Sequence, residues 1–225
     1  MKTRILGYTT GALVAGFLTY IICAERRLLS DCGSRPGFTH SELTILNNAD
    51  SIMRVLTIED PDDLAVLRSQ SRDFCSEALL SEEFRRLSEL MIATVTHPTQ
   101  DGVGIAGPQV GLNRRVVAVQ RFDKDGEPFE VYPNIRIVWR SDSLEIGPEG
   151  CLSVPERRED VARSTEIVIE YTGIQPYFKP SAQNNSPSTP TPITVRDTIS
   201  GFTAVIFQHE VDHLDGILYI DRATL

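Results

Sequence analysis

The chain has 225 residues, of which 41% are hydrophobic, and this supports one sizeable core in a single domain rather than two. Its formal net charge of −9 at pH 7 argues against direct nucleic-acid binding, because phosphate recognition needs clustered lysine and arginine. The acidic balance mainly favours solubility.

An apolar run at residues 5–24 sets the beginning of the chain apart from the rest. Its length, about 20 residues, is what a helix needs to cross the bilayer core. We predict that residues 1–24 form a hydrophobic signal or anchor segment outside the fold, and an uncleaved anchor is favoured over a cleaved signal peptide. The segment predicts a membrane-anchored or exported protein, with membrane association through residues 5–24. Basic residues flank the run on both sides, so its orientation stays open.

Residues 25–52 are polar and lack a sustained apolar period. The residues Gly33, Pro36 and Gly37 are typical of irregular chain. We therefore predict a polar linker over residues 25–52, followed by one domain over residues 53–225.

The first predicted helix of this domain begins at Ser81. A serine followed by Glu82 and Glu83 is a typical helix start, because the hydroxyl can cap the first turn and acidic groups favour the positive end of the helix dipole. Apolar residues then recur at helical spacing and predict one buried face. These residues are Phe84, Leu87, Leu90, Met91 and Val95.

Four short runs of β-branched and aromatic residues predict strands, since Asp, Gly, Pro and Asn bound them. They cover residues 116–119, 129–132, 135–138 and 167–171. Runs this short indicate small antiparallel sheets.

The segment 175–192 is rich in proline. It holds five prolines among Asn, Ser and Thr, and proline cannot donate a hydrogen bond inside a helix or a central strand. We predict an exposed loop insert over residues 175–192.

A second helix is predicted over residues 202–214, where apolar residues and histidines share one face at steps of three and four. Those on the shared face are Phe202, Val205, Ile206, His209 and His213. Gly216 is a typical helix stop.

The sequence H-E-V-D-H at residues 209–213 lies in this helix. It places two imidazoles one turn apart, so both can bind one metal ion, and the Glu210 carboxylate beside them can transfer protons. A surface helix with solvated charges is a poor alternative, because the preceding turn is apolar. A catalytic site of this kind takes three protein ligands and leaves one position open.

The third ligand is expected upstream of the helix. Tyr219 stands where the metzincin pattern requires its third histidine, and the dozen residues after His213 leave little room for a downstream glutamate. Cys151 offers a thiolate in a segment that must turn sharply, next to glycine and near two prolines. A lone cysteine is more often a small buried side chain, so by itself Cys151 is only a candidate ligand.

Three segments, taken together, resemble the signature of peptide deformylases. They are G-V-G-I-A-G-P-Q at 102–109, E-G-C-L-S at 149–153 and Q-H-E-V-D-H at 208–213. The similarity extends more loosely over residues 55–221 and does not cover the first fifty residues. Gly107 and Val211 depart from the family pattern, which more often has alanine and an aromatic residue there, but neither departure removes a catalytic group.

The resemblance implies an α+β fold in which small antiparallel β-sheets surround a central metal-binding helix. It implies a metal-dependent hydrolase that removes the N-formyl group from the N-terminal formyl-methionine of newly made polypeptides. Cys151, His209 and His213 would be the metal ligands. The family favours Fe²⁺, and Zn²⁺, Ni²⁺ or Co²⁺ also suit this set of donors.

By the same resemblance, Glu210 carries protons, while Gln109 and the backbone N–H of Leu152 stabilise the oxyanion. The substrate methionine needs an apolar pocket, and Gly104 permits close approach of a peptide backbone. The predicted substrate-binding residues are Val103, Gly104, Arg158, Phe202, Val205 and Ile206. For each of the apolar ones, simple core packing explains the residue equally well.

Two other functions stay open on the sequence. A metallopeptidase of other specificity would share the helix motif but would need neither a cysteine ligand nor Gln109. A non-enzymatic, membrane-tethered binder of formylated peptides would have no use for Glu210 as a proton carrier. A deformylase that acts on ribosome-associated nascent chains should place its catalytic domain on the cytoplasmic side.

Overall fold

A computed structural model of the protein describes residues 37–175 and 191–223. In this part of the chain short helices come first, strands follow, and one long helix lies near the end. The early helices are α1 (His40–Asn48), α2 (Pro61–Leu67), α3 (Ser76–Leu79) and α4 (Glu82–Val95). The late helix is α5 (Gly201–Leu214).

Helix α4 confirms the helix that was predicted to start at Ser81. The Ser81 hydroxyl accepts a hydrogen bond from the Phe84 amide at 3.2 Å, so it caps the first turn as expected. All five apolar residues of the predicted face are buried, together with Thr94. This face packs against α1 and the first two strands, and the helix therefore closes one of the hydrophobic cores.

Eight strands form three antiparallel sheets within the described residues. The strands are β1 (Gly104–Ala106), β2 (Val116–Gln120), β3 (Phe129–Pro133), β4 (Arg136–Arg140), β5 (Leu144–Cys151), β6 (Val154–Ser164), β7 (Glu166–Gln175) and β8 (Thr191–Ser200). The sheets have the orders β1-β2-β3, β4-β7-β8 and β5-β6. All four predicted strands are confirmed, and so are the small antiparallel sheets.

Strands β1, β5, β6 and β8 were missed from the sequence. Hairpin β5–β6 is mostly exposed and carries many charged residues, so it lacks the apolar alternation that marks a half-buried strand. Strand β1 has only three residues, all buried. These strands are fixed by pairing with a neighbouring strand rather than by an apolar pattern of their own.

Helix α5 lies at the centre of the fold and contacts strands of all three sheets. From Thr203 to Leu214 it is buried except at Val205, so it presents no fully solvated face. The predicted end is confirmed: Gly216 has a φ of 73°, and its amide donates to the His213 carbonyl at 3.2 Å. A Cβ at Gly216 would lie 2.4 Å from the Arg68 carbonyl oxygen, so both the conformation and the space require glycine.

The predicted linker over residues 25–52 is wrong for residues 40–48, which form helix α1. Thr39 and Glu42 form a capping box, and Leu46 is 1% exposed against the core. The Glu42 carboxylate accepts hydrogen bonds from Arg114 at 2.6 and 3.0 Å, and both side chains are buried. Helix α1 is therefore held by a long-range ion pair as well as by the packing of Leu46, and an apolar period cannot reveal the ion pair.

The predicted loop insert over residues 175–192 needs correction at both ends. Gln175 lies in β7 and pairs with Thr191 in β8, and Ile174 pairs with Pro192. Proline is tolerated here because β8 is an edge strand of its sheet. Residues 176–190 lie outside the described part of the chain.

The prediction of a membrane-anchored or exported protein is contradicted. Within the described residues, 37–175 and 191–223, no helix is long and apolar enough to cross a membrane. The apolar segment 1–24 that prompted the prediction lies outside the described residues. The anchor, and membrane association through it, are withdrawn.

We expect Glu42→Gln to lower the free energy of unfolding by about 2 kcal/mol at neutral pH, because it leaves the Arg114 guanidinium buried without its charged partner. Burial alone would raise the pKa of Glu42, but hydrogen bonds from Arg114 and the Thr39 amide bring it below the ordinary value of 4.5. This contribution is present above pH 4.5 and is lost as pH falls through the lowered pKa. Denaturant unfolding at neutral and at acid pH should show the difference shrinking in acid.

The matched control is Glu89→Gln, which breaks an exposed ion pair with Arg85 in helix α4 and lies outside the first turn of that helix. We expect no measurable change in its unfolding midpoint. Equal effects of the two substitutions, or a Glu42→Gln effect that does not change with pH, would contradict this role of the buried pair.

Candidate active site

Three side chains that were predicted as metal ligands converge at one point. The ligand atoms of Cys151, His209 and His213 all lie within 4.8 Å of one another. The Cys151 Sγ is 3.2 Å from His213 Nε2. One thiolate and two imidazoles at these separations fit a divalent metal such as zinc or iron, and they leave a position open.

Two elements bring the three donors together. Helix α5 supplies both histidines from one face, and Cys151 ends strand β5, where the hairpin turns towards the helix. The Ser153 amide donates to the Cys151 sulfur at 3.4 Å. Burial would raise the pKa of the Cys151 thiol, but the charges and hydrogen bonds of His213 and His209 lower it well below its ordinary value. The sulfur is therefore disposed to be a thiolate, the form that binds metals.

The His209 imidazole is oriented by a carboxylate, that of Glu149, for which no role was predicted from the sequence. His209 Nδ1 lies 2.8 Å from Glu149 Oε2. Arg163 donates to both oxygens of Glu149, at 2.7 and 2.9 Å, and holds the carboxylate in place. Burial would raise the pKa of Glu149, but the Arg163 and His209 contacts lower it to about 2. A carboxylate on the second ring nitrogen fixes the orientation of a ligating histidine and raises its basicity.

The same arginine continues the network into helix α5. Arg163 also donates to Asp212 at 2.6 Å, and Arg222 donates to Asp212 at 2.7 Å. Glu149 and Asp212 both lie inside the quoted motifs. The sequence signal that could have revealed this network was the position of these two acidic residues, each within two residues of a predicted metal ligand.

Two buried polar atoms in the site have no hydrogen-bond partner among the described residues, Glu210 Oε2 and Nδ1 of the predicted ligand His213. Glu210 is 4% exposed. Burial raises the pKa of Glu210 to about 7. A Cβ at Gly104 would lie 2.5 Å from Glu210 Oε1, so glycine there leaves room for the carboxylate as well as for a ligand.

Gln109 lies in a 3₁₀ turn, Gly107–Val110, that follows β1. Its Oε1 accepts from the Ala106 amide at 2.8 Å, which directs its Nε2 towards the Cys151 sulfur at 3.4 Å. A Cβ at Gly107 would lie 2.6 Å from the Arg114 carbonyl oxygen. In this chain the turn packs too closely on that backbone for alanine, and this accounts for the departure from the family pattern.

A cleft of about 740 Å³ opens beside the three ligands. Gln109, Leu152 and Glu210 line it together with every predicted substrate-binding residue: Val103, Gly104, Arg158, Phe202, Val205 and Ile206. Phe202 is 57% exposed and its ring contacts the tilted ring of Phe122, with centroids 5.3 Å apart, so it lies at the mouth of the cleft rather than in its floor. Arg158 is exposed at the rim. His213 is buried and, unlike Cys151 and His209, does not line the cleft.

Comparisons with known proteins agree with this geometry. A family model described as "Polypeptide deformylase" matches residues 52–177 and 191–225. A peptide deformylase of Pseudothermotoga lettingae is 34% identical over 172 residues, which cover 76% of this chain and 82% of that protein. A peptide deformylase of Thermotoga neapolitana is 34% identical over 169 residues, covering 75% and 85%.

Solved structures give the same result. A class I type b peptide deformylase from Acinetobacter baumannii matches with a TM-score of 0.62 and 30% identity, over 77% of this chain and all of the other. The peptide deformylase from Thermotoga maritima matches with a TM-score of 0.60 and 31% identity, over 78% of this chain and all of the other. The family match begins at residue 52, so it does not include the segment predicted as an anchor.

We expect Glu149→Gln to weaken metal binding by about 10- to 100-fold, because the amide cannot accept as strongly from His209 or pair with Arg163. Competition with a chelator would measure the affinity. Glu170→Gln is the control, since it removes a carboxylate that also bonds an arginine, Arg196, but in the sheet β4-β7-β8 and outside the cleft lining. Unchanged metal affinity in Glu149→Gln would show that this carboxylate does not orient the ligand.

Proposed function

This chain belongs to the peptide deformylase family, and on that premise we propose that Cys151, His209 and His213 hold the metal with which it works. As a peptide deformylase it is a hydrolase that removes the N-formyl group from new peptides. The observation that supports the proposed site most directly is the convergence of the three donors beside a buried, unpartnered carboxylate.

The donor set determines what the bound metal can contribute. A divalent ion held by one thiolate and two imidazoles, with one position open, supplies positive charge that activates water and polarises a carbonyl group. Among such ions we propose Fe²⁺, because the donor set suits iron, zinc, nickel or cobalt and the family resemblance favours ferrous iron.

Glu210 is proposed as the group that moves the proton. It takes a proton from the attacking water and later delivers it to the amine that leaves the formyl carbon. Its raised pKa, about 7, means that the carboxylate can both accept and donate near neutral pH. Because the side chain is buried and its Oε2 has no other partner, that oxygen is available for the water.

Gln109 and the Leu152 amide are proposed as the donors that meet the developing oxyanion. The Gln109 amide is held at both ends: its oxygen by Ala106 and its nitrogen near Ser153 Oγ at 3.3 Å. A donor fixed before the reaction costs little reorganisation when the charge appears. Leu152 follows the ligand Cys151 directly, so its amide is placed by the same turn.

The apolar part of the cleft is proposed to take the methionine side chain. Val205 and Ile206 precede His209 on the same face of α5, and Val103 lies across the cleft. Phe202 closes the mouth. Arg158 at the rim is placed to contact the peptide beyond its first residue. An exposed N-terminus on a nascent chain at the ribosome would satisfy this geometry.

The two alternatives raised from the sequence gain no support. A metallopeptidase of other specificity would not need the Cys151 and Gln109 segments, yet both residues line the cleft here. A binding protein would have no need for a buried proton carrier such as Glu210.

We expect protein purified without oxygen to contain about one Fe²⁺ per chain and to lose activity on exposure to air. Metal analysis and turnover of a formyl-methionyl tripeptide would be measured on the same sample. A full complement of zinc with air-stable activity would replace the iron assignment without altering the ligand set.

We expect Glu210→Gln to keep its metal but to lose turnover by about 100-fold or more, because the amide retains the shape but cannot carry a proton. His209→Ala or His213→Ala should lose metal and turnover together, and Cys151→Ser should bind metal more weakly, since a hydroxyl is a poorer ligand than a thiolate. Metal analysis and hydrolysis of formylated and unformylated tripeptides would measure both properties.

The control is again Glu170→Gln, which should behave as the wild type. Near-normal turnover in Glu210→Gln would contradict its role. Full metal content with normal turnover in Cys151→Ser would remove Cys151 from the site.

A further inference from the structure

Hairpin β5–β6 is irregular next to the ligand Cys151. Its register pairs Glu149 with Glu159, and then Cys151 with Val154. Gly150 alone on β5 therefore faces residues 155–158 on β6, which we call the β6 bulge. In a bulge of this kind the regular ladder is interrupted and side chains are redirected.

The β6 bulge forms part of the cleft wall. Glu156, Arg157 and Arg158 all line the cleft. Glu156 has a φ of 59°, which is the left-handed region for a residue that is not glycine. Strained backbone of this kind persists only where the surrounding structure fixes it. Since β5 does not pair with the bulge, its support must come from another element.

Tyr219 provides such support. Its hydroxyl donates to the Arg157 carbonyl oxygen at 2.7 Å, in the middle of the bulge. Its ring lies against the His209 imidazole, with centroids 5.8 Å apart and planes at 24°. Tyr219 is 1% exposed. One buried side chain thus contacts both a metal ligand and the peptide-facing wall of the cleft.

The turn that carries Tyr219 is itself held firmly. It is a 3₁₀ turn, Tyr219–Asp221, in which Asp221 accepts from the Leu218 amide at 2.9 Å and is bonded by Arg68. Arg222, the next residue, is bonded to Asp212 on helix α5. Tyr219 is therefore anchored to the body of the fold, and it can fix the position of a less regular segment.

We propose that Tyr219 is a positioning residue: its hydroxyl fixes the β6 bulge for peptide binding, while its ring fixes the plane of His209. This proposal rests on the proposed function, since it concerns how a formylated peptide is held. The two contacts belong to different parts of the side chain, so they can be separated by substitution. Losing the hydroxyl should affect binding of the peptide beyond methionine, and losing the ring should affect the metal.

Tyr219→Phe removes the hydroxyl and keeps the ring. We expect KM for formyl-Met-Ala-Ser to rise about three- to tenfold, because the peptide must then order the bulge, while kcat changes by less than about twofold. KM for formyl-methionine amide, which ends before the bulge, should not change. Metal content should equal that of the wild type, and hydrogen exchange at the amides of residues 155–158 should become faster.

Two further variants complete the experiment. Tyr171→Phe removes the hydroxyl of a half-buried tyrosine that packs against Tyr132, away from the cleft, and should match the wild type in every measurement. Tyr219→Leu removes ring and hydroxyl together, and it should lower metal affinity as well as raise KM.

The outcomes discriminate. Unchanged exchange at residues 155–158 in Tyr219→Phe, or equal KM changes for the long and short substrates, would overturn the proposal. Loss of metal in Tyr219→Phe would overturn the separation of the two contacts. If the wild-type protein itself failed to hydrolyse either formylated substrate, the proposed function would fail, yet the exchange measurement would still test the role of Tyr219.

Discussion

The structure depends on burying a polar helix. Helix α5 carries Gln208, His209, Glu210, Asp212 and His213, all buried within the fold. Burying such groups without partners costs several kcal/mol each, on the order of 2–7 for a neutral polar group. The rest of the domain supplies the partners, and this requirement fixes where its other elements lie.

Most of these partners come from hairpin β5–β6, and Asp212 is also bonded by Arg222, beyond the end of the helix. Strand β6 receives Gln208, whose amide donates to the Ser164 carbonyl at 2.8 Å and accepts from the Ser164 amide at 3.0 Å. Arg163 joins Glu149 on β5 to Asp212 on α5, so one guanidinium links hairpin and helix. Removing either carboxylate would leave the buried Arg163 guanidinium with one charged partner in place of two, and breaking a buried charge pair costs more than the pair contributes to stability. The hairpin that carries Cys151 is thereby held at the helix by charged and polar contacts, in addition to the small apolar cluster that Val154 and Val161 form with Leu218 and Tyr219.

Glu210 Oε2 and His213 Nδ1 are exceptions to this pairing, and the free oxygen of Glu210 has a chemical use. A buried carboxylate without a donor has a raised pKa and is ready to exchange a proton with a bound water. Its neighbours allow this only because Gly104 lacks a side chain. The site therefore combines donors that are fixed before the reaction with one group that stays free to react. The residues of α5 that hold the fold together and the residue proposed to transfer the proton are therefore neighbours in one helix.

The sequence by itself determined the features that depend on the spacing of neighbouring residues. The period of α4, the stop at Gly216 and the two histidines one turn apart follow from helix geometry, which neighbouring residues set. The sequence also identified Cys151 as a candidate ligand, because the motif around it is distinctive, whereas a lone cysteine is not.

Tertiary structure alone decided the pairing of His209 with Glu149, 60 residues away, and of Arg114 with Glu42, 72 residues away. It also decided that residues 40–48 form a docked helix and that Tyr219 reaches Arg157. Those contacts arise from burial of charged and polar groups against distant chain, and no periodicity along the sequence records which partner a buried charge will meet.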